Sequence, residues 1–199
     1  MDQLIVGGAR ARTFATARRG QLFDQLTDLF LAEGFAHLTL DDIAARLRCS
    51  KSTLYTLAGS KEQLVRASTV HFFRRVTDQV AAAVPEGASA RERIVAYLTA
   101  VGVALAPGSD QFMADVAAFE PAREVYEQNT SIAATHVHEL IVEGVEAGEF
   151  RGVDAAFAAD LTATMMVRIQ NRGVAESTGL GDGEAYRELA AILTAGIRV

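Results

Sequence analysis

The sequence predicts an all-α fold, a small N-terminal three-helix unit followed by a larger helical body, and three observations carry that reading. The 199 residues hold only three prolines. Apolar residues recur at three- and four-residue spacing over most of the chain, the period of amphipathic helices. Helix-start signals stand in front of several of those stretches. A hydrophobic content of 50% is ample for a buried core, and the length allows one large or two modest domains.

Taken in order, residues 1–17 contain Gly7-Gly8 and no sustained apolar stripe, and read as a flexible arm. Helices are predicted over 19–34, 39–48, 50–57, 60–83, 89–106, 109–118, 122–148, 154–175 and 183–197. Between them stand Pro85-Glu86-Gly87, Pro107-Gly108, Pro121, the stretch from Gly148 to Gly152 and the loop from Gly179 to Gly183. That last glycine loop follows a helix and lacks a following Lys-Ser/Thr, so it reads as a connector and not a phosphate cradle. No internal repeat or low-complexity tract is present.

The densest information lies in residues 39–64, TLDDIAARLRCSKSTLYTLAGSKEQL. Thr39 with Asp42, and Ser60 with Gln63, have the spacing of capping boxes, and Ser50 can cap a short helix starting at Lys51. Ile43, Leu47, Cys49, Leu54 and Leu57 let two short helices bury their apolar faces against each other across an Arg48-Cys49 turn, and Ala44 permits close approach. The second short helix then exposes Lys51, Ser52, Thr53, Tyr55 and Thr56. An amine, hydroxyls and one ring are what a helix needs to touch phosphates and base edges in a major groove.

From about Gln21 to Leu64 the chain resembles the DNA-binding domain of the tetracycline-repressor (TetR) family of transcriptional regulators. The matching features are the amphipathic LFDQLTDLFLAEGF ending at Gly34-Phe35, the Thr-x-x-x-Ile-Ala second helix, Ser50-Lys51, Thr53-Leu54-Tyr55, and Ser60-Lys61-Glu62 with Leu64. Three positions depart from the family pattern. Arg48 stands where the turn usually has Gly, and a left-handed conformation there costs it roughly 1–2 kcal/mol. Ser52 replaces a common Gly, and Leu57-Ala58 replaces an aromatic pair. The candidate DNA contacts are Thr39, Ser50, Lys51, Ser52, Thr53, Tyr55, Thr56 and Lys61. Arg10, Arg12, Arg18 and Arg19 could also reach phosphates or a minor groove, or belong to an ordinary solvated tail.

Charge supports nucleic acid independently of motif. Residues 1–83 carry 11 Lys and Arg against 8 Asp and Glu, whereas 84–199 carry 8 against 17, within a net charge of −6. The one positive region of an acidic chain coincides with its helix-turn-helix. No uncharged run approaches the roughly 20 residues of a membrane span, and no signal-peptide pattern opens the chain, so a cytoplasmic location is expected. The single cysteine, Cys49, reads as a small buried hydrophobe, with a redox sensor as the other option.

Beyond residue 84 no catalytic signature appears: no Ser-His-Asp order and no nucleophile elbow, so neither an enzyme nor a cofactor is expected. His136, Glu139 and Glu143 share a helix face and could geometrically share a metal, but no third strong ligand is identifiable, and no metal is assigned. In the helix over 154–175, Phe157, Leu161, Met165 and Arg168 lie on one side and Thr162, Met166, Ile169 and Gly173 on another. One of these faces can look inward and the other toward a partner; Ile169 is assigned to the partner side. The helix over 183–197 also has more apolar surface than one contact needs.

The resemblance implies an architecture of arm (1–17), helix-turn-helix domain (18–65) and ligand-binding, dimerising helical domain (66–199), with the last two long helices of each subunit forming a four-helix interface. It implies a homodimeric repressor released from operator DNA by a small molecule, expected to be apolar or amphipathic. Tyr97, Phe112, Met113, Phe119, Tyr126, His136, Met165, Arg168 and Asn171 are the candidate effector-binding residues, with Gln170 a polar neighbour. The competing reading is a helical small-molecule-binding or enzymatic protein whose helix-turn-helix no longer binds DNA, which Leu57-Ala58 favours.

Overall fold

The structure, a computed structural model, describes the backbone of residues 3–198 and the side chains of residues 18–198. It is built from α1 (Gln3–Glu33), α2 (Leu40–Arg46), α3 (Lys51–Leu57), α4 (Lys61–Ala83), α5 (Ala90–Leu105), α6 (Asp110–Ala118), α7 (Glu120–Glu146), α8 (Ala155–Gln170), α9 (Gly173–Thr178) and α10 (Asp182–Gly196). Among the described residues the one extended pairing is a bridge between Phe150 and Arg198, which fastens the α7–α8 loop to the end of α10. The arm expected over 1–17 concerns side chains outside the described residues; the backbone from Gln3 onward is part of α1.

Helix starts fall where the sequence has acceptors for orphan amides. Ser60, Ser89, Ser109 and Asp154 each accept from the backbone N–H three residues on. Pro121 lies within the first turn of α7, where its missing N–H costs nothing. The single helix predicted over 154–175 is instead two. Arg172, with φ of 61°, turns the chain between α8 and α9. Its guanidinium holds that conformation by pairing with Asp182, by lying 2.6 Å from Asp110, and by donating to the Gly108 carbonyl at 3.0 Å.

Two cores result. The first gathers α1 to α4 together with Phe112, Val116, Ala122, Val125 and Tyr126 from α6 and α7. Its rings meet edge to face: Phe35 with Phe112 and Phe119, Phe72 with Phe112, Phe73 with Tyr126. The second core, between α4, α5, α7, α8 and α10, is mostly aliphatic, with Ile94, Leu98, Val137, Leu140, Ile141 and Ile169 at its centre. There Gly102 on α5 lets Tyr186 of α10 approach so closely that a Cβ would lie 2.9 Å from its side chain.

The long α4 belongs to both cores, with Leu64, Val65, Phe72 and Phe73 in the first and Val80 in the second. Polar pairs lock it to α1. Thr27 and Ser68 hydroxyls lie 3.0 Å apart in the interior, His71 meets Asp24 at 2.8 Å, and Arg75 donates to Asp28 at 3.0 Å.

Candidate nucleic-acid interface and ligand cavity

The Thr39–Asp42 pair is a reciprocal cap on α2: the Asp42 amide donates to the Thr39 hydroxyl, and the Asp42 carboxylate accepts from the Thr39 amide. Bonds from the Thr39 hydroxyl and amide, in that order, hold the Asp42 carboxyl below its ordinary range. After α2 the amide of Arg48 donates to Ala45 and that of Cys49 to Ala44, the crossed pattern of a Schellman turn. Arg48 occupies its left-handed position with φ of 49°, the conformation in which the family pattern places Gly. Cys49 is half-buried against the aromatic core, and burial pushes its thiol up, away from the reactive thiolate.

Ser50 caps α3, accepting from the Thr53 amide at 3.1 Å, with the Ser52 and Thr53 hydroxyls 2.7 and 2.8 Å from its own. Buried Leu54 and Leu57 fix α3 to the core. Thr39, Ser50, Lys51, Ser52, Tyr55 and Thr56 are therefore exposed and Thr53 half-buried, with Tyr55 53% accessible. The Lys51 ammonium lies 2.6 Å from Asp41, whose hydrogen bond holds that amine above its ordinary pKa. An exposed pair of this kind contributes little to stability, so a phosphate can replace Asp41 cheaply. Lys61, half-buried, donates to the Ala36 carbonyl at 2.9 Å and ties the start of α4 to the α1–α2 turn.

That turn is also gripped from the body. Buried Asp115 of α6 accepts from the Phe35 amide at 2.5 Å, the Ala36 amide at 2.7 Å and the Gln111 side chain at 2.7 Å. Gly34, at φ of 79°, makes room: a Cβ there would lie 2.5 Å from the Asp115 carboxylate. A second bond, from the Ser109 amide to the Leu31 carbonyl at 2.8 Å, joins the start of α6 to the end of α1.

The body contains a cavity of about 820 Å³ between α4, α5, α7 and α8. Its deep wall is formed by buried Phe73, Val101, Thr130, Met166 and Gln170; its mouth by exposed Glu86, Gly87, Ile132, Thr135 and Glu139. Of the residues expected around an effector, Tyr97 and His136 line it, their rings 4.7 Å apart. Burial pushes the Tyr97 hydroxyl up to about 12. The others lie elsewhere. Phe112, Met113, Phe119 and Tyr126 pack in the aromatic core, because edge-to-face rings fill that space. Met165 packs in the aliphatic core, one residue from the Met166 that faces the cavity. Arg168 is exposed beside Ser177, and Asn171 is the exposed C-cap of α8. His136 Nδ1 stands 3.7 Å from Glu139, while Glu143 is engaged by Arg93.

The two faces of α8 are the reverse of the expected assignment. Thr162, Met166 and Ile169 are buried within the chain, whereas Phe157 is 69% and Leu161 49% exposed, with Arg168 also outward. Both faces are apolar enough to bury, so periodicity finds them without ranking them. On α10, Ile192 is likewise 69% exposed.

Sequence reasoning missed Asp115, Arg172 and the cavity wall residues Phe73, Asn129 and Thr130. The first two act through backbone groups distant in sequence, for which no local spacing gives a signal. The wall residues alternate with core residues on the same helices, and only the gap between helices distinguishes them.

Residues 22–68 match the family model of the bacterial regulatory proteins of the tetR family. No curated protein matches the chain in sequence. Among solved structures it is similar to a TetR-family transcriptional regulator from Thermus thermophilus, with 20% identity over 89% of this chain and 99% of that one at a TM-score of 0.67. A fatty acid degradation regulator from Bacillus halodurans aligns with 17% identity over 90% and 96% of the two chains, TM-score 0.69. A candidate transcriptional regulator from Saccharomonospora viridis, in complex with choline, aligns with 18% identity over 92% and 99%, TM-score 0.75. The head of the chain, residues 22–68, is thus the N-terminal domain of the bacterial regulatory proteins of the tetR family, and the chain as a whole has the all-helical fold of such regulators.

Proposed function

We propose that the protein is a cytoplasmic, homodimeric, DNA-binding transcriptional repressor that a small molecule releases from its operator. The observation that carries this reading is the family match over α1 to α4, together with the polar, exposed face of α3 that it contains. In this reading residues 18–65 form the reading head and 66–199 the effector and dimer domain. Ser52, Thr53, Tyr55 and Thr56 meet base edges or phosphates, while Ser50, Lys51, Thr39 and Lys61 hold the backbone of the duplex.

The outward faces of α8 and α10, with Phe157, Leu161 and Ile192, supply the apolar surface of a two-fold dimer. The cavity receives the effector. Two connections carry its occupancy to the head: α4, which lines the cavity with Val76, Thr77 and Val80 and enters the head core with Leu64, and α6, whose Asp115 holds the α1–α2 turn. Coupling requires only that the ligand favour the arrangement in which the two recognition helices no longer match successive major grooves. Choline in the Saccharomonospora structure and fatty acid degradation in the name of the Bacillus protein are consistent with small-molecule control in this fold.

The test is fluorescence anisotropy on duplex taken from upstream of the protein's own gene, against random duplex. Specific binding is expected, with Tyr55→Ala weakening it about tenfold and Lys51→Ala lowering the salt slope by about one. Phe157→Asp should give folded monomers in sedimentation with poor operator affinity. Equal affinity for upstream and random duplex, unchanged by either head substitution, would overturn the reading.

A further inference from the structure

The space between α4 and α7 does not end at the cavity. A second pocket of about 400 Å³ continues it toward the head, lined by Arg66 and Arg74 of α4 and by Gln128 of α7. Phe73, Thr77, Asn129 and Ile132 line both spaces. On α4 the lining runs from Arg66 to Asp78 in the second pocket and from Phe73 to Val84 in the cavity; on α7 it runs from Val125 to Ile132 and then from Asn129 to Glu139. The two are successive stretches of one groove. Thr77 and Ile132, which belong to both, are exposed, so a molecule can extend from one stretch into the other along the surface.

Charge is spread unevenly along this groove. Arg66, Val70 and Arg74 recur at four-residue spacing, so both arginines lie on one stripe of α4, about 12 Å apart along its axis. Both are exposed, and neither pairs with a carboxylate among the described residues. Arg75, on the α1 side of the same helix, is by contrast engaged by Asp24 and Asp28. Exposed Gln128 adds an amide that can donate to an anion. The carboxylate of this stretch, Asp78, stands one turn beyond Arg74. At the other end of the groove Glu86 and Glu139 line the mouth of the cavity, and Arg93 is taken up there by Glu143. Between the two ends the wall is largely apolar, with Val80, Val101 and Met166 among it. An anion is therefore drawn to the head end of the groove and repelled from the far end.

We infer that the effector is a single-chain amphiphile with an anionic head, a carboxylate or a phosphate, whose chain lies in the cavity and whose head docks between Arg66 and Arg74 in the adjoining pocket. This rests on the cavity being the effector site, and it specifies the ligand's chemistry and its direction. It moves the polar anchor from Arg168, which is exposed beside Ser177 and lines neither space, to α4. Arg66 directly follows Leu64 and Val65, both buried in the head core. The charged end of the ligand thus bears on the part of α4 that belongs to the head, while its chain bears on the part that belongs to the body.

The experiment uses the full-length protein and the fluorescence of bound Nile red, an uncharged apolar dye. Decyl phosphate, decanoate, decanol and decyltrimethylammonium, each below its aggregation concentration, compete for the dye at low salt. Both anions are expected to displace it at lower concentrations than decanol, with the ammonium weakest, and the stronger of the two anions identifies the head. Added salt should shrink their advantage over decanol. Arg66→Gln and Arg74→Gln should each weaken both anions about three- to fivefold, the worth of an exposed charge pair, and together about tenfold, while decanol stays within twofold. Arg75→Gln removes the same charge from the α1 side of the helix and should leave the anions unchanged; circular dichroism checks that every variant folds. Decanol or the ammonium displacing the dye as readily as the anions overturns the anionic head and leaves the cavity standing. Unchanged anion affinity in Arg66→Gln and Arg74→Gln, or an equal loss in Arg75→Gln, overturns docking in the adjoining pocket. Failure of the dye to bind, or of every competitor to displace it, overturns the cavity as effector site and this inference with it.

Discussion

The two cores of this chain are built to different standards. The head core, around Phe30, Phe35, Phe72, Phe73 and Phe112, is an interlocked set of rings, closed further by capping residues and by Asp115. The body core is aliphatic and alanine-rich, and an open volume of about 820 Å³ lies along it. Close-packed rings allow few alternative arrangements, whereas a wall of Val, Ala and Met beside a void can shift by small amounts. A head that must present α3 in one geometry gains from the first. In the proposed function, a body that admits a ligand and responds to it gains from the second.

Adding the same ring to each region tests this contrast most severely. Ala44 in α2 is 6% exposed in the head core, and Ala133 in α7 is 8% exposed on the cavity wall. Ala44→Phe should cost about 3 kcal/mol, because overpacking forces α2 from α3. Ala133→Phe should change stability by less than about 1 kcal/mol, since its ring has empty space to enter. Urea denaturation of both measures the difference, and equal losses would break the contrast.

The joint between the regions comes next. Asp115→Ala strips the Phe35 and Ala36 amides of their acceptor, and a loss of about 2–3 kcal/mol is expected, most of it from leaving the buried Phe35 donor unpaired. Amide exchange should rise first at Phe35 and Ala36; a uniform rise across the chain would show that the carboxylate supports the body as much as the head.

The smallest effect sharpens the account of the head alone. Arg48→Gly removes the penalty of a left-handed non-glycine residue and should raise stability by up to about 1 kcal/mol. A loss of stability instead would mean that the arginine side chain is worth more to the fold than its backbone strain costs.

How far each part could be read from sequence follows from the range of the interactions involved. Caps act over three residues, so Thr39, Ser50 and Ser60 marked their helices correctly, and Leu54 and Leu57 gave the buried side of α3. The strained turn at Arg48 was legible because a motif fixed what the neighbouring positions had to be. Phe112, Phe119 and Tyr126 were legible as interior residues, but whether an interior ring lines a void or fills one depends on helices far away in sequence. Hence Phe112, Phe119 and Tyr126 are expected around a ligand but fill the aromatic core, while Phe73 and Thr130 join Tyr97, His136 and Gln170 on the wall. The faces of α8 failed for a related reason, since which apolar stripe meets the rest of the chain is decided by how α10 and α7 approach it.

The head core is completed by residues from α6 and α7, among them Phe112, Val116, Ala122 and Tyr126. Residues 18–65 severed from the body would lose that closure, so melting of the head is tied to melting of the body in one cooperative transition. By linkage, a ligand present at a hundred times its dissociation constant adds about 2.7 kcal/mol to the folded state as a whole. An effector bound only in the body would therefore protect α2 and α3 from unfolding even while it withdraws them from DNA.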